Sequence, residues 1–171
     1  MIKTFFRKCL TGALFGTLML TALPMSVWAE EKEPVTYDIK VAGVLVNTEN
    51  AEDVLGDGTV SYDSVTNTLT LDNVDMDVPN GNYCIRAEGS LNIELKGTNK
   101  IESEDFYGVA VVADSDGSTP DVKIGGDGSL EASGLISGIL VRGNLTIGDS
   151  VKVYSECRDV TSDDIYGIRV N

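Results

Sequence analysis

The chain has 171 residues, 27 acidic against 13 basic side chains, a formal net charge of −14 at pH 7, and no histidine. A surface so acidic repels nucleic acid and anionic lipid, which argues against both as partners. Without histidine the commonest general base and metal ligand is missing, so histidine-based zinc sites and Ser-His-Asp or Cys-His catalysis are excluded.

In chain order, the first segment reads as a secretory signal. Lys3, Arg7 and Lys8 form a basic start, Cys9 to Leu23 an uncharged apolar stretch, and Val27-Trp28-Ala29 places small residues before Glu30. The apolar stretch is shorter than the roughly 20 residues a helix needs to cross a bilayer, and Pro24 follows it. Cleavage is expected between Ala29 and Glu30, giving a secreted or cell-surface chain with no membrane insertion afterwards. The signal carries three of the 13 basic residues and none of the 27 acidic ones, so the mature chain has a net charge of −17 over 142 residues. It retains Cys84 and Cys157. Export makes a disulfide chemically accessible, but the two occupy different repeat positions, and two separate thiols, at least one buried, is the preferred reading.

Residues 30–36 read as a short linker and 37–80 as an N-terminal cap with a first rung. Alternation predicts a strand from Tyr37 to Val46. Thr59 to Tyr62 and Thr68 to Leu71, joined by an Asp/Ser/Thr/Asn turn, predict a hairpin. Gly-Asp-Gly at 56–58, Asp-Ser-Asp-Gly at 114–117, Gly-Gly-Asp-Gly at 125–128 and Gly-Asp-Ser at 148–150 mark tight turns.

From residue 81 the chain repeats. Ile85, Val109, Ile139 and Ile168 head four equivalent strands, stepping by 24, 30 and 29 residues. Three of these residues follow a glycine; Cys84 holds that slot in the first repeat. A second strand follows, with Leu95, Ile124 and Ile147 aligned. A turn at Gly97, Gly126 or Gly148 leads to a third strand starting at Ile101, Leu130 and Val151. Three short strands per repeat are the arithmetic of a β-solenoid. Alternation turns Ile85 and Ala87, Val109 and Val111, Ile139 and Val141, and Ile168 and Val170 inward, and Arg86, Ala110, Leu140 and Arg169 outward. Tyr83, Tyr107 and Tyr166 share the inward phase, which favours structural stacking near a corner. The expected fold is all-β: a right-handed parallel β-helix with a hairpin cap. A fourth repeat opens at Tyr166 and stops at Asn171, which we read as the truncation of a longer array, the alternative being another chain over the open end.

The runs Tyr37-Asp38-Ile39-Lys40-Val41-Ala42-Gly43-Val44, Gly56-Asp57-Gly58-Thr59-Val60-Ser61-Tyr62-Asp63, Asn67-Thr68-Leu69-Thr70-Leu71 and Leu95-Lys96-Gly97-Thr98-Asn99-Lys100-Ile101 resemble a family of secreted β-helical proteins of anaerobic Gram-positive bacteria described as carbohydrate-binding domains. The resemblance covers about residues 37–103 well and the rest as looser repeats. It implies a right-handed parallel β-helix at the cell surface, commonly in a longer chain. It supplies no binding motif that maps onto particular residues here.

The expected function is a non-catalytic binding module for polysaccharide or glycan. Alternatives are a structural spacer or protein-binding adhesin segment, and a fragment of a polysaccharide-acting β-helix enzyme. Such enzymes use clustered carboxylates, Ca²⁺ and Arg or Lys. Here Arg86 and Arg169 stand alone, and no three aspartates recur at one repeat position. Phe106 and Tyr107 are the one local aromatic patch for a sugar. Asp72, Asp75 and Asp77, and Asp114 with Asp116, are the oxygen-rich sets for Ca²⁺, the alternative being aspartates in solvated turns.

Overall fold

The computed structural model describes residues 33–79, 81, 83–159 and 166–171. The signal segment and its Ala29–Glu30 junction lie outside them. The region from Glu33 to Asn171 forms one contact unit. All its regular structure among the described residues is β: β1 Thr36–Val41, β2 Val44–Asn47, β3 Val60–Asp63, β4 Thr68–Asp72, β5 Asp75–Val78, β6 Ile85–Glu88, β7 Leu91–Lys96, β8 Thr98–Ser103, β9 Tyr107–Val112, β10 Asp121–Gly126, β11 Ser129–Gly134, β12 Ser137–Val141, β13 Asn144–Ile147, β14 Lys152–Cys157 and β15 Ile168–Val170. No described helix is long and apolar enough to cross a membrane.

The strands build three sheets. The first runs β15-β12-β9-β6-β1-β2, the second β13-β10-β7-β4-β3, the third β14-β11-β8-β5. From β6 onward the chain visits them in fixed order, first, second, third, and each strand pairs in parallel with its equivalent one repeat away. Strands buried on their inner face and paired on both edges leave few backbone groups unsatisfied, which is why short runs of four to six residues hold their shape.

In the first sheet the predicted ladder is present: Ile85, Val109, Ile139 and Ile168 are in register, as are Ala87, Val111, Val141 and Val170. The other two registers differ from expectation by two residues. Ile147 and Ile124 align with Ile93, not Leu95, which faces Gly126. In the third sheet Leu130 aligns with Asn99 and Val153, while Ile101 aligns with Met76 and Ala132. Matching apolar to apolar misses this, because Asn99 takes an inward slot. It is fully buried. The Val74 amide donates to its Oδ1 at 3.0 Å, and its Nδ2 donates to the Lys96 and Ser129 carbonyls at 3.1 and 3.0 Å. A buried amide with its bonds made is tolerated where an unpaired one is costly.

Ala110 and Leu140, expected to point outward, are nevertheless 1% and 4% exposed. Alternation assigns a side of the sheet, not its solvation. Their row neighbours in register are the long Arg86 and Arg169, whose stems are the kind that shield apolar neighbours.

The predicted hairpin is β3–β4, antiparallel, Tyr62 opposite Leu69. The single strand expected from Tyr37 to Val46 is instead a second hairpin, β1–β2, turning at Ala42 and Gly43 with φ of 48° and 81°. Two positive φ values suit the tight turn that matches strand twist, and Gly43 was its only local signal. β1 then pairs antiparallel with β6, Val41 opposite Ile85. The 48–59 loop tucks Val54 into the core, with Ala51 and Leu55 packed beside it. Two hairpins and this loop finish the N-terminal end of the first two sheets. The exposed edge of the third, β5, turns Asp75 and Asp77 outward, charges that discourage edge pairing.

Candidate functional site

Two places gather side chains capable of holding a ligand. The first lies where the third sheet leads back to the first. There Tyr83 stacks on Phe106 (centroids 5.1 Å, 15° between planes) and on Tyr107 (5.9 Å, 6°). All three rings are half-buried. The repeat sets this geometry: β6 and β9 are in register two residues further on, so Tyr107 lies over Tyr83. The Phe106 amide donates to Ser103 Oγ, and the Gly81 amide to Asp105. Phe106 and Tyr107 are therefore together as expected, but they and Tyr83 spend ring faces on one another. Tyr166, at the far end, is 46% exposed, with the Arg169 guanidinium 5.7 Å from its ring centre. Ser137 breaks the ring series and caps it differently, its hydroxyl donating to the Gly167 carbonyl.

Behind this corner Cys84 is fully buried, and both Cys84 and Cys157 are free thiols. Burial, with Asp77 and Glu102 nearby, pushes the Cys84 thiol up to about 12, against the opposing pull of Arg158. Arg158 pairs with Glu102 and donates to the Ser103 carbonyl.

The second place was not read from the sequence. Where the first sheet leads into the second, at the capped end, a polar cleft of about 290 Å³ is lined by Tyr37, Asp38, Tyr62, Asn67, Glu88 and Asp114, with Thr36, Ile39, Gly89 and Ser90 completing it. Tyr37 and Tyr62 stand 4.9 Å apart at 57°. This tilt keeps the rings from closing face to face. The Tyr62 hydroxyl donates to Asn67 Oδ1 at 2.9 Å, and burial, with Tyr37 and Asp63 beside it, pushes its phenol above the ordinary tyrosine range. Asn67 reaches αL backbone, φ 52°, and its Nδ2 donates to the Ser90 carbonyl, tying the β3–β4 turn to the next repeat. Gly89 has φ 80°, and a Cβ there would lie 3.5 Å from Asp114 Oδ2. The contributors come from four separate stretches of chain, so no local motif announces them.

The aspartates singled out for Ca²⁺ do not converge. Asp72 ends β4 and accepts from Asn73 Nδ2, Asp75 and Asp77 point outward on β5 opposite Lys100 and Glu102, and Asp116 accepts from the Ser118 amide in its own turn. That bond and the Ser118 hydroxyl lower the Asp116 carboxyl below its usual range. Asp114 lines the cleft. Among the described residues no three His, Cys, Asp or Glu side chains form a group able to hold a metal ion. The glycine-rich turn at 56–58 is likewise closed on itself, its three amides donating to Asp53 Oδ1.

Compared with family models, curated proteins and solved structures, the chain matches none.

Proposed function

We propose that the chain is a secreted or cell-surface, non-catalytic binding module for carbohydrate, its three sheets wound as a right-handed parallel β-helix under an N-terminal hairpin cap. Support for the winding is the fixed order of strands with parallel pairing between repeats, since crossovers between parallel strands are right-handed in nearly all proteins.

The observation that carries the binding reading is the Tyr37–Tyr62 cleft. It has the volume of a small ligand site and combines two tilted rings with three carboxylates and an amide. Ring faces take the apolar side of a sugar, and Asp38, Glu88, Asp114 and Asn67 can accept its hydroxyl protons. Phe106 and Tyr107, each with a ring face spent on Tyr83, are a second and weaker contact for a sugar at a separate corner. Calcium, where it assists, is read as an added bridge between carboxylates and sugar hydroxyls rather than as a built-in ion.

The test uses residues 33–171 in pull-downs on a panel of insoluble polysaccharides, with calcium and with chelator. Retention on at least one, falling by about tenfold in Tyr37→Ala with the far-ultraviolet spectrum unchanged, is expected. Indifference to the whole panel in both conditions would favour the spacer or adhesin role, and retention unmoved by Tyr37→Ala would place the site elsewhere. Release of reducing ends or unsaturated uronides would show an enzyme.

A further inference from the structure

The cleft beside Tyr37 and Tyr62 gathers negative charge that folding does not call for. β1 and β6 run antiparallel with Lys40 opposite Arg86 and Ile39 opposite Ala87. The same register, continued by one pair, sets Asp38 opposite Glu88 on the outward face. Like charges directly opposite on paired strands destabilise a sheet. Glu88 is in turn in register with Val112 on β9, so Asp114, two residues further on, reaches the same corner as a third carboxylate. Arg86 turns along β6 to Glu88, Nη2 to Oε1 at 2.7 Å, and no Lys or Arg is among the residues lining the cleft.

These carboxylates share a cleft of about 290 Å³ without forming a group able to hold a metal ion, so a ligand that bridges them is larger than an ion. The polar hydrogens nearby are already engaged: the Tyr62 hydroxyl donates to Asn67 Oδ1, and Asn67 Nδ2 to the Ser90 carbonyl. The cleft therefore offers acceptors and takes its donors from the ligand. Tyrosine faces add attraction for a cation.

We propose that the cleft binds an amino sugar carrying a free ammonium group, as in a glucosamine polymer. The proposal rests on the carbohydrate-binding reading above and narrows it to cationic glycans. The ammonium brings three N–H donors and a positive charge to the carboxylates, and charge-assisted bonds of this kind are the strong ones. The tilted ring pair, 57° between planes, leaves a tyrosine face for the apolar side of the sugar. N-acetylation removes the charge and adds a carbonyl where donors are scarce, and a uronate or sulfate adds negative charge to a site that has too much. A lysine side chain carries the same ammonium on a narrow alkyl stem that covers neither ring broadly. At longer range the net charge of −14 draws a polycation towards the surface.

The test is calorimetric titration of residues 33–171 with short oligomers of glucosamine, N-acetylglucosamine and lysine, equal in length, at a pH that keeps the sugar amine protonated. The glucosamine oligomer is expected to bind at least about tenfold tighter than the other two. Its affinity should fall as salt rises from about 0.01 M to about 0.15 M, and be unmoved by chelator. Asp38→Asn/Asp114→Asn should weaken it at least about tenfold. Asp127→Asn/Asp149→Asn removes the same charge from exposed connections between the second and third sheets, and should change it by less than about twofold. Asp38→Asn alone should raise the urea midpoint, since it removes one of two facing carboxylates. Equal binding of the acetylated or the lysine oligomer would overturn the inference, as would equal losses in the two double variants, a requirement for calcium, or a lowered midpoint in Asp38→Asn. Should one of these occur while a neutral polysaccharide is still retained and Tyr37→Ala releases it, this inference falls alone and the proposed function stands; indifference to every polysaccharide defeats both.

Discussion

Cys84 stands where later repeats carry Gly108, Gly138 and Gly167, and the surroundings explain the exchange. At Gly138 a Cβ would come within 2.2 Å of the Ala132 carbonyl oxygen, and at Gly167 within 2.2 Å of the Ser155 carbonyl oxygen. At the first repeat the neighbour is instead the antiparallel β1 hairpin, whose Ala42 amide donates to the Cys84 carbonyl at 2.8 Å. There is room for a thiol, and it is a dry one. Its folded pKa, raised from 9.0 to about 12, means that the folded chain holds a proton which the unfolded chain releases near pH 9. The associated stability is complete below pH 9 and is lost as pH rises from 9 towards 12. In residues 33–171 at pH 8, a thiol reagent should modify half-buried Cys157 promptly and Cys84 only after denaturation. Equal rates for the two would contradict the buried placement. Cys84→Ala should flatten the alkaline decline in the denaturation midpoint.

At the scale of the strand, the corner glycines decide how tightly the third sheet can lead back into the first. Gly138→Ala must push the Ala132 carbonyl, the Ser155 hydroxyl and the Glu156 amide apart at once, since a Cβ would meet all three under 3.0 Å. Overpacking of that kind costs about 1–3 kcal/mol. Gly125, in β10, is a fair control: its nearest contact would be Glu94 Oε2 at 3.7 Å, and its φ is not in the left-handed region. Gly125→Ala should leave the urea midpoint nearly unchanged while Gly138→Ala lowers it clearly. Equal effects would mean that the corner approach is not what demands glycine.

For the whole molecule, the balance is between one aliphatic core threading all three sheets and a surface of like charge. The ion pairs among the described residues include Arg86–Glu88, Lys100–Glu102 and Arg158–Glu102, while acidic side chains outnumber basic ones 27 to 13. Self-repulsion at this level weakens the compact state and is screened as the Debye length shrinks from about 30 Å at 0.01 M salt to about 8 Å at 0.15 M. The melting temperature of residues 33–171 at pH 7 should therefore rise by a few degrees over that range. A fall, or no change, would show that attractive surface pairs dominate instead.

The sequence by itself determined the class of fold, because period-two alternation and a return of Gly-apolar pairs every 24 to 30 residues leave little but short stacked strands. It also determined the first-sheet ladder to the residue, where every repeat carries aliphatics in the same two slots. Only the tertiary structure decided the other two registers, since Asn99 occupies an inward slot that apolar matching skips, and Gly126 faces Leu95 with no side chain to reveal the pairing. The candidate sites divide in the same way. Phe106 and Tyr107 were legible as neighbours in sequence, and their stacking with Tyr83 followed from the repeat. The cleft of Tyr37, Tyr62, Asn67, Glu88 and Asp114 was not, because it exists only where a hairpin turn, a strand start and two inter-sheet corners meet. Local pattern encodes which face a residue takes; which distant residues share that face depends on how the chain closes upon itself.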